Sequence, residues 1–419
     1  MKHFVLTECY GSLPISDQNS SAFTTAQADE LSSYISLNRL EQHLVQISRK
    51  SVTFTNYVGF IQLSSCSIEI LPKVSSNEPA QSRRVLLRML ERTGFLEVNE
   101  SQAGQINYEK MNLFEILALL FTEKILRELS KGILRTYITL QEELNTVRGR
   151  VDTISQIRRN HLKSTAVSCI FDEFHPNHDL NKVFKLTLRK IMAQSNILKT
   201  RKRANHAMMY LDEVADTVDE RAIRTPIHFD RSNQRYQESY RLAMLLLSQS
   251  APTSQRGKNI GSSILFKMNE LFESYIAHLI RKLTPNVIIR DHSHKLLINS
   301  STERGVFQLE PDLLITGTNG QSIIIDTKWK RIDSSYNRHG VKREDFYQMY
   351  AYLTRYERVG TVILLYPHHD GISRTGDAPL ESWYIEGLSD KRLLVYSINY
   401  EDEGVAKLKL QSLIEDYME

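Results

Sequence analysis

Apolar residues recur along the chain at two spacings, and the spacing changes several times. Residues 51–63 and 66–71 are rich in β-branched and aromatic side chains around a Ser64-Ser65 turn, which predicts strands. A helix is expected before them, over about residues 26–44, so the opening part reads as a small barrel-like module. Residues 83–92 carry Leu86, Leu87 and Leu90 at helical spacing, with Gly94 as a stop. Asn112 can cap a helix running to about Ser130 and ended by Gly132. Leu180, Val183, Phe184, Leu188, Ile191 and Met192 form another stripe at the 3,4 spacing, after an extended stretch over about residues 134–172. The cleanest helical pattern spans residues 263–283. Strand-like runs follow at 286–290, 305–315 and 322–329, then a helix over about 343–357 and a strand at 361–366.

Two polar stretches punctuate this pattern, residues 74–80 and 251–262. They predict a multi-domain α/β chain, α+β overall. Its expected parts are a β-rich module at 1–75, a mainly helical middle at 76–255 and a third domain at 256–419. A length of 419 residues suits two or three domains. With 53 Lys+Arg against 49 Asp+Glu, the charge balance excludes a histone-like arm but not a local basic channel. Cys9, Cys66 and Cys169 are too far apart for a zinc module or a disulfide framework. The longest apolar run, 116–121, is far short of the roughly 20 residues that span a bilayer. A cytoplasmic protein with no membrane partner is expected.

The chemistry concentrates in Glu310-Pro311-Asp312-Leu313-Leu314-Ile315, a loop over 316–320, and Ile323-Ile324-Ile325-Asp326-Thr327-Lys328. Three consecutive isoleucines predict a strand buried on both faces, where a charged residue needs a reason. Asp326 and Lys328, two residues apart, project to one side. A two-residue Asn319-Gly320 loop would pair Asp312 with Thr327. A three-residue loop, 318–320, with Gly320 at positive φ instead sets Asp312 opposite Asp326, and this register is preferred. Thr327 should then point away from the acids. Asp312, Asp326 and Lys328 at one sheet end make a site for Mg²⁺, with Mn²⁺ as a possible substitute, in which carboxylates and substrate phosphate supply hard oxygen donors.

Pro311-Asp312…Asp326-Thr327-Lys328 resembles the PD-(D/E)xK nuclease signature, and Gln348-Met349-Tyr350-Ala351-Tyr352 the QxxxY motif that accompanies it. By periodicity alone Gln348 would be an exposed polar residue, because Phe346, Met349, Tyr350 and Leu353 already supply a buried stripe. Further segments are similar to elements of McrC proteins: Val58-Gly59-Phe60-Ile61 with Ile68-Glu69-Ile70-Leu71-Pro72-Lys73, Arg148-Gly149-Arg150-Val151-Asp152, Asp172-Glu173 with Asn181-Lys182, and the helix opening Met268-Asn269-Glu270-Leu271-Phe272-Glu273. The matches span about residues 57–367; the opening 50 residues match nothing.

The resemblance implies a C-terminal restriction-endonuclease-like domain and a DNA endonuclease subunit of a modification-dependent (5-methylcytosine-type) restriction system. It also implies an AAA+ GTPase partner, McrB, forming a hexameric ring. Catalytic roles for Asp312, Asp326, Lys328 and Gln348 follow from it, and Glu273 is implied to join Asp312 and Asp326 around the metal. Glu270 reads as a solvated carboxylate. Arg148 and Arg150, with glycine between them allowing close backbone approach, are candidate DNA or partner contacts. The chain lacks the G-x-x-x-x-G-K-[ST] loop, so nucleotide hydrolysis falls to a partner. The alternative is a non-catalytic regulator that docks on and stimulates an AAA+ NTPase ring.

Overall fold

A computed structural model describes the chain except for residues 1, 10, 20–21, 39, 42–43, 76–77, 99–101, 103, 160–165, 217–225, 248–261, 373–377 and 419. The proposed 251–262 linker therefore lies outside the described residues but for Ser262, as does the centre of the 74–80 stretch. The chain forms two compact units. One joins 1–96, 108–110 and 265–419; the other comprises 97–107 and 111–264.

The first unit opens with β1 (Lys2–Thr7), β2 (Ser12–Pro14), α1 (Thr25–Leu37), β3 (Val45–Ile47), β4 (Ser51–Phe54), β5 (Tyr57–Gln62), β6 (Cys66–Leu71) and α2 (Pro79–Arg92). Helix α1 starts at a capping box, in which Thr24 accepts from the Gln27 N–H and the Gln27 side chain accepts from the Thr24 N–H. It stops at Asn38, earlier than the apolar pattern suggested. The run 51–63 is two strands rather than one, broken at Asn56 in the left-handed region (φ 63°). The strands form open sheets instead of a barrel: β2-β4-β3 is antiparallel, and β1 pairs parallel with β6 in a four-stranded sheet.

The second unit holds α3 (Leu113–Ser130), β7 (Thr136–Leu144), β8 (Arg150–Val151), α4 (Thr153–Arg159), β9 (Val167–His175), α5 (Asp179–Gln194), α6 (Leu198–Met209) and α7 (Gln237–Leu247). As expected, Asn112 Oδ1 accepts from the Glu115 N–H at 2.9 Å and caps α3, and Gly132 beyond its end has φ 117°. Helices α3, α5, α6 and α7 pack on one another. The extended stretch becomes an antiparallel arm, β7-β9-β8, interrupted by α4.

The chain then supplies β10 (Ser262–Lys267), α8 (Met268–Leu283), β11 (Val287–Ile289), β12 (Lys295–Ile298), β13 (Gly305–Gln308), β14 (Leu313–Thr316), β15 (Ser322–Thr327), α9 (Arg343–Arg355), β16 (Val359–Pro367), β17 (Glu381–Ile385), β18 (Leu388–Ile398) and α10 (Glu403–Met418). Residues 263–267 are strand, not helix: Ser-Ile-Leu-Phe is strand-forming, and β10 adds to the sheet beside β5. The helical stripe begins only at Met268. The 305–315 run splits where Glu310-Pro311 breaks it. A six-stranded sheet, β11-β14-β15-β16-β18-β17, has parallel β15, β16 and β18 at its centre and antiparallel outer strands. Every residue of β15 is buried.

A buried ion pair ties α2 to the first sheet. Glu69 on β6 is fully buried, and Arg83 holds it with Nε at 3.0 Å from Oε1 and Nη2 at 2.7 Å from Oε2. Burial would lift the Glu69 carboxyl, but hydrogen bonds from His3 and Arg83 outweigh it and hold it below the usual range. Arg83→Met should leave a buried carboxylate short of its main partner and cost about 3–5 kcal/mol, read as a lower urea midpoint. Pairing it with Glu69→Gln should recover much of that loss.

Candidate active site

The turn between β14 and β15 sets the register. Gly317 N–H donates to Gln321 O at 2.8 Å, leaving 318–320 as the loop, and Gly320 sits at φ 81°. Leu313 then faces Ile325 and Leu314 faces Ile324. The loop and this register are those of the three-residue turn; the ladder ends at Leu313–Ile325, and Asp312 lies just before β14, at the step that would set it opposite Asp326. The Arg290 N–H donates to Asp312 O at 3.0 Å, so β11 holds the Asp312 backbone from its other side.

Asp326 has no exposed surface. Ile324 lies in the core beneath α9 with Met349, Tyr352 and Leu353, so the two-residue period brings Asp326 to that same face. The Lys328 ammonium forms an ion pair with Asp326 Oδ2, while Oδ1 is buried without a hydrogen-bond partner among the described residues. Burial pushes the Asp326 carboxyl up, against the opposing pull of Lys328. Asp312 is pushed up to about 7, first by burial and then by the negative charges of Asp326 and Glu273. For Lys328, burial opposes the charged form but Asp326 outweighs it, and the ammonium is held above its ordinary range.

Gln348, which periodicity alone left as an exposed residue, belongs to this cluster. Its Oε1 accepts from Lys328 Nζ at 3.0 Å, and its Nε2 donates to the Tyr352 hydroxyl at 2.8 Å. The four-residue step along α9 puts Gln348 and Tyr352 on one face. The expected buried stripe needs one correction. Tyr352 is buried in it and Tyr350 is exposed, because the stripe turns toward the acids.

Glu273, on α8, is near enough to raise both aspartates, but Arg290 grips it with Nε at 2.7 Å and Nη2 at 3.0 Å. Glu270 is exposed and pairs with Lys267 at 3.5 Å. Thr327 does not point away from the acids: its N–H and hydroxyl both donate to Asp312 Oδ2 at 2.7 Å, because Asp312 lies just before β14 and its side chain reaches across. Among the described residues no three His, Cys, Asp or Glu side chains stand close enough together to hold a metal. Two carboxylates, one with a buried unpaired oxygen, nevertheless suit a hard divalent cation that keeps most of its waters.

Two further clusters leave little trace in the sequence, one around Asp345 and one around Trp329. Lys330 Nζ grips Asp345 at 2.7 and 3.0 Å, and the Tyr366 hydroxyl donates to the same carboxylate at 3.2 Å. The only sequence trace of Asp345 is its place four residues before buried Met349. Trp329 Nε1 donates to fully buried Glu8 at 2.5 Å, across 321 residues of sequence, and the Trp329 ring packs on Phe272 and Tyr400 with centroids 5.2 Å away in each case.

In the other unit, Arg148 stacks over Phe171 at 4.1 Å and lies 3.5 Å from Glu173, while Arg150 is exposed on β8. A Cβ on Gly149 would meet Ile170 O at 2.4 Å, so the close approach that this glycine permits is to the chain's own strand β9. The neighbouring motif residue Asn181 is buried, with Nδ2 donating to Leu134 O at 2.7 Å and Pro176 O at 2.6 Å. His368 and His369 follow β16 and join no metal-ligating group among the described residues. No described helix is long and apolar enough to cross a membrane.

Two solved structures share this fold. A refined half-complex from a tetradecameric assembly of Thermococcus gammatolerans McrB AAA+ hexamers with bound McrC matches with TM-score 0.76 at 16% identity, over 99% of this chain and 100% of the matched one. A cryo-EM structure of the Thermococcus gammatolerans McrBC complex matches with TM-score 0.54 at 21% identity, over 68% of this chain and 88% of the other. The first superposition takes in nearly all of the opening 50 residues, which carry none of the sequence resemblance. No curated protein matches the chain. The family model described as "McrBC 5-methylcytosine restriction system component" matches residues 52–367, a span that contains Asp312, Asp326, Lys328 and Gln348 as well as the buried Glu69 and Asn181, and the chain belongs to that family.

Proposed function

We propose that this chain is the endonuclease component of a modification-dependent restriction system, hydrolysing DNA phosphodiesters with Mg²⁺ under the control of an AAA+ GTPase partner like McrB. The observation that carries this reading is the fully buried Asp326, its Oδ1 unpaired among the described residues, near Asp312 and tied to Lys328. A structural aspartate in the centre of a sheet would be satisfied by hydrogen bonds, whereas this one keeps an oxygen free. Asp312 and Asp326 would hold the cation, with Glu273 close enough to add to the field but committed to Arg290. Bound there, Mg²⁺ supplies a Lewis acid for the phosphate and lowers the pKa of an attacking water. Lys328, oriented by Gln348, places a positive charge where negative charge develops on the phosphate. Thr327 fixes the Asp312 carboxylate by two hydrogen bonds.

The partner surface is assigned to the middle region, residues 76–255. Support comes from its β7-β9-β8 arm, which carries exposed Tyr137, Val147, Ile154, Ile157 and Phe174. Arg148 and Arg150 lie on the same arm, and Arg150 is the better candidate for an outside contact because Arg148 is engaged internally. A purely regulatory role would not require the unpaired acid, so the catalytic reading is preferred.

Asp326→Asn should lower cleavage of 5-methylcytosine-containing DNA at least about 100-fold in the presence of partner, GTP and Mg²⁺, while the partner's GTP hydrolysis stays stimulated. Undiminished cleavage would place the chemistry elsewhere. Calorimetric Mg²⁺ affinity should weaken as pH falls below about 7, since the cation must then displace the proton that burial, Asp326 and Glu273 keep on Asp312. Asp312→Asn should remove that pH dependence along with most of the binding.

A further inference from the structure

A cavity of about 440 Å³ lies within the first unit where the end of β1 and the stretch after β6 meet the segments that follow β15 and β16. Its lining includes Lys73 and Ser75 from the first part of the chain and Arg331, His368, His369 and Asp370 from the last. Among the described residues its acid is Asp370 alone, against the two cations Lys73 and Arg331. That excess of positive charge in a space large enough for a nucleotide suits a phosphate group.

The basic side chains are held in place. The Lys73 ammonium sits 4.9 Å from the centre of the Trp329 ring, and Trp329 is fixed in turn by Glu8, Phe272 and Tyr400. His369 Nδ1 accepts from Arg331 Nε at 3.1 Å and from the Gly371 N–H at 3.0 Å, so its proton is on Nε2, which faces Ile332 O. This neutral imidazole orients the exposed Arg331 guanidinium. His368 is fixed through Nδ1 to Ser397 Oγ at 3.1 Å. The location matters as much as the charge. The cavity opens at the carboxyl ends of parallel β15 and β16, where ligands of α/β sheets bind, and Arg331 is three residues beyond Lys328, hence within about 11 Å of it along the backbone.

We propose that this cavity is a phosphate subsite for the DNA strand cut at Asp312 and Asp326, formed jointly by Lys73 from the opening part of the chain and Arg331 from the nuclease sheet. The proposal rests on the endonuclease reading for the identity of the ligand. It gives the β-rich opening part a place in substrate binding, through the Lys73 that follows β6. Lys73 and Arg331 act as binding residues, and neither joins the acid cluster.

The test uses the full-length protein with Asp326→Asn, which binds without cutting, and a fluorescein-labelled duplex containing 5-methylcytosine. Adding Lys73→Met and Arg331→Gln together should weaken binding at least about tenfold near 0.1 M salt. It should also make the log-affinity against log-salt slope shallower by about two, one for each phosphate that is no longer neutralised. Lys73→Arg with Arg331→Lys keeps both charges and should bind nearly as well as the parent, which separates removal of charge from loss of fold. Equal duplex binding by the charge-removed variant would overturn the subsite. So would inorganic phosphate or GMP raising the parent's melting temperature, but not the variant's, with duplex affinity unchanged; the cavity would then serve a free nucleotide. The parallel cleavage assay keeps the two readings apart. With partner, GTP and Mg²⁺ present, cleavage that depends on Asp326 with unchanged duplex binding removes only the subsite, whereas a binding defect without any cleavage by the unmodified protein removes the nuclease and leaves a DNA-phosphate site.

Discussion

A carboxylate in the middle of a sheet, cut off from water, is the constraint around which this molecule is arranged. Taking an ion out of water costs several kcal/mol, and the cost is recovered only if partners of opposite charge and hydrogen-bond donors surround it. Among the described residues Asp326 receives one such partner, Lys328, while Oδ1 has no hydrogen bond and Asp312, Glu273 and Asp345 add further negative charge nearby. The surroundings divide that charge with care. Glu273 is neutralised by Arg290 and Asp345 by Lys330, while Asp312 and Asp326 stand near enough for the charge of one to oppose ionisation of the other, and Lys328 pairs with Asp326. On the proposed reading, a divalent cation would complete this arrangement.

The scaffold supports this by rigidity. Strand β15 is buried along its whole length between β14 and β16, so Asp326 cannot relax toward solvent. Directly beyond it, Trp329 is wedged among Phe272, Tyr400 and the buried carboxylate of Glu8, whose other oxygen accepts from the Asn56 N–H at 3.0 Å. The opening strands are thus bonded to the strand that carries the acids. The Asn269 N–H, at the start of α8, likewise donates to Asn56 Oδ1 at 2.8 Å. This explains why the first 96 residues and residues 265–419 form one compact unit although the helical region separates them in sequence.

What was legible in the sequence was local. The β14–β15 register followed from a loop in which Gly320 takes positive φ at no steric cost, and the α3 boundaries followed from Asn112 and Gly132. Gln348 could be read only through its family motif, because the helical period cannot tell an exposed amide from one that holds a lysine. The helical pattern runs on into residues 263–267 because an apolar strand leading straight into an amphipathic helix has no punctuation between them. Other features depend on partners distant in the chain: Glu8 with Trp329, Glu273 with Arg290, and Glu69 with Arg83. Nothing near Glu8 marks it as buried. Asn181 and Gly149 belong to segments that carry the family resemblance, and the fold accounts for them through Pro176, Leu134 and Ile170.

The central claim is that the charge left unresolved at Asp326 is a cation site, and diffraction at the manganese absorption edge from crystals grown with Mn²⁺ tests it most directly. An anomalous peak is expected to bridge the Asp312 and Asp326 carboxylates, within about 2.0–2.3 Å of an oxygen from each and completed mainly by water. A peak elsewhere in the chain, or none there with Oδ1 of Asp326 hydrogen-bonded to protein, would contradict it.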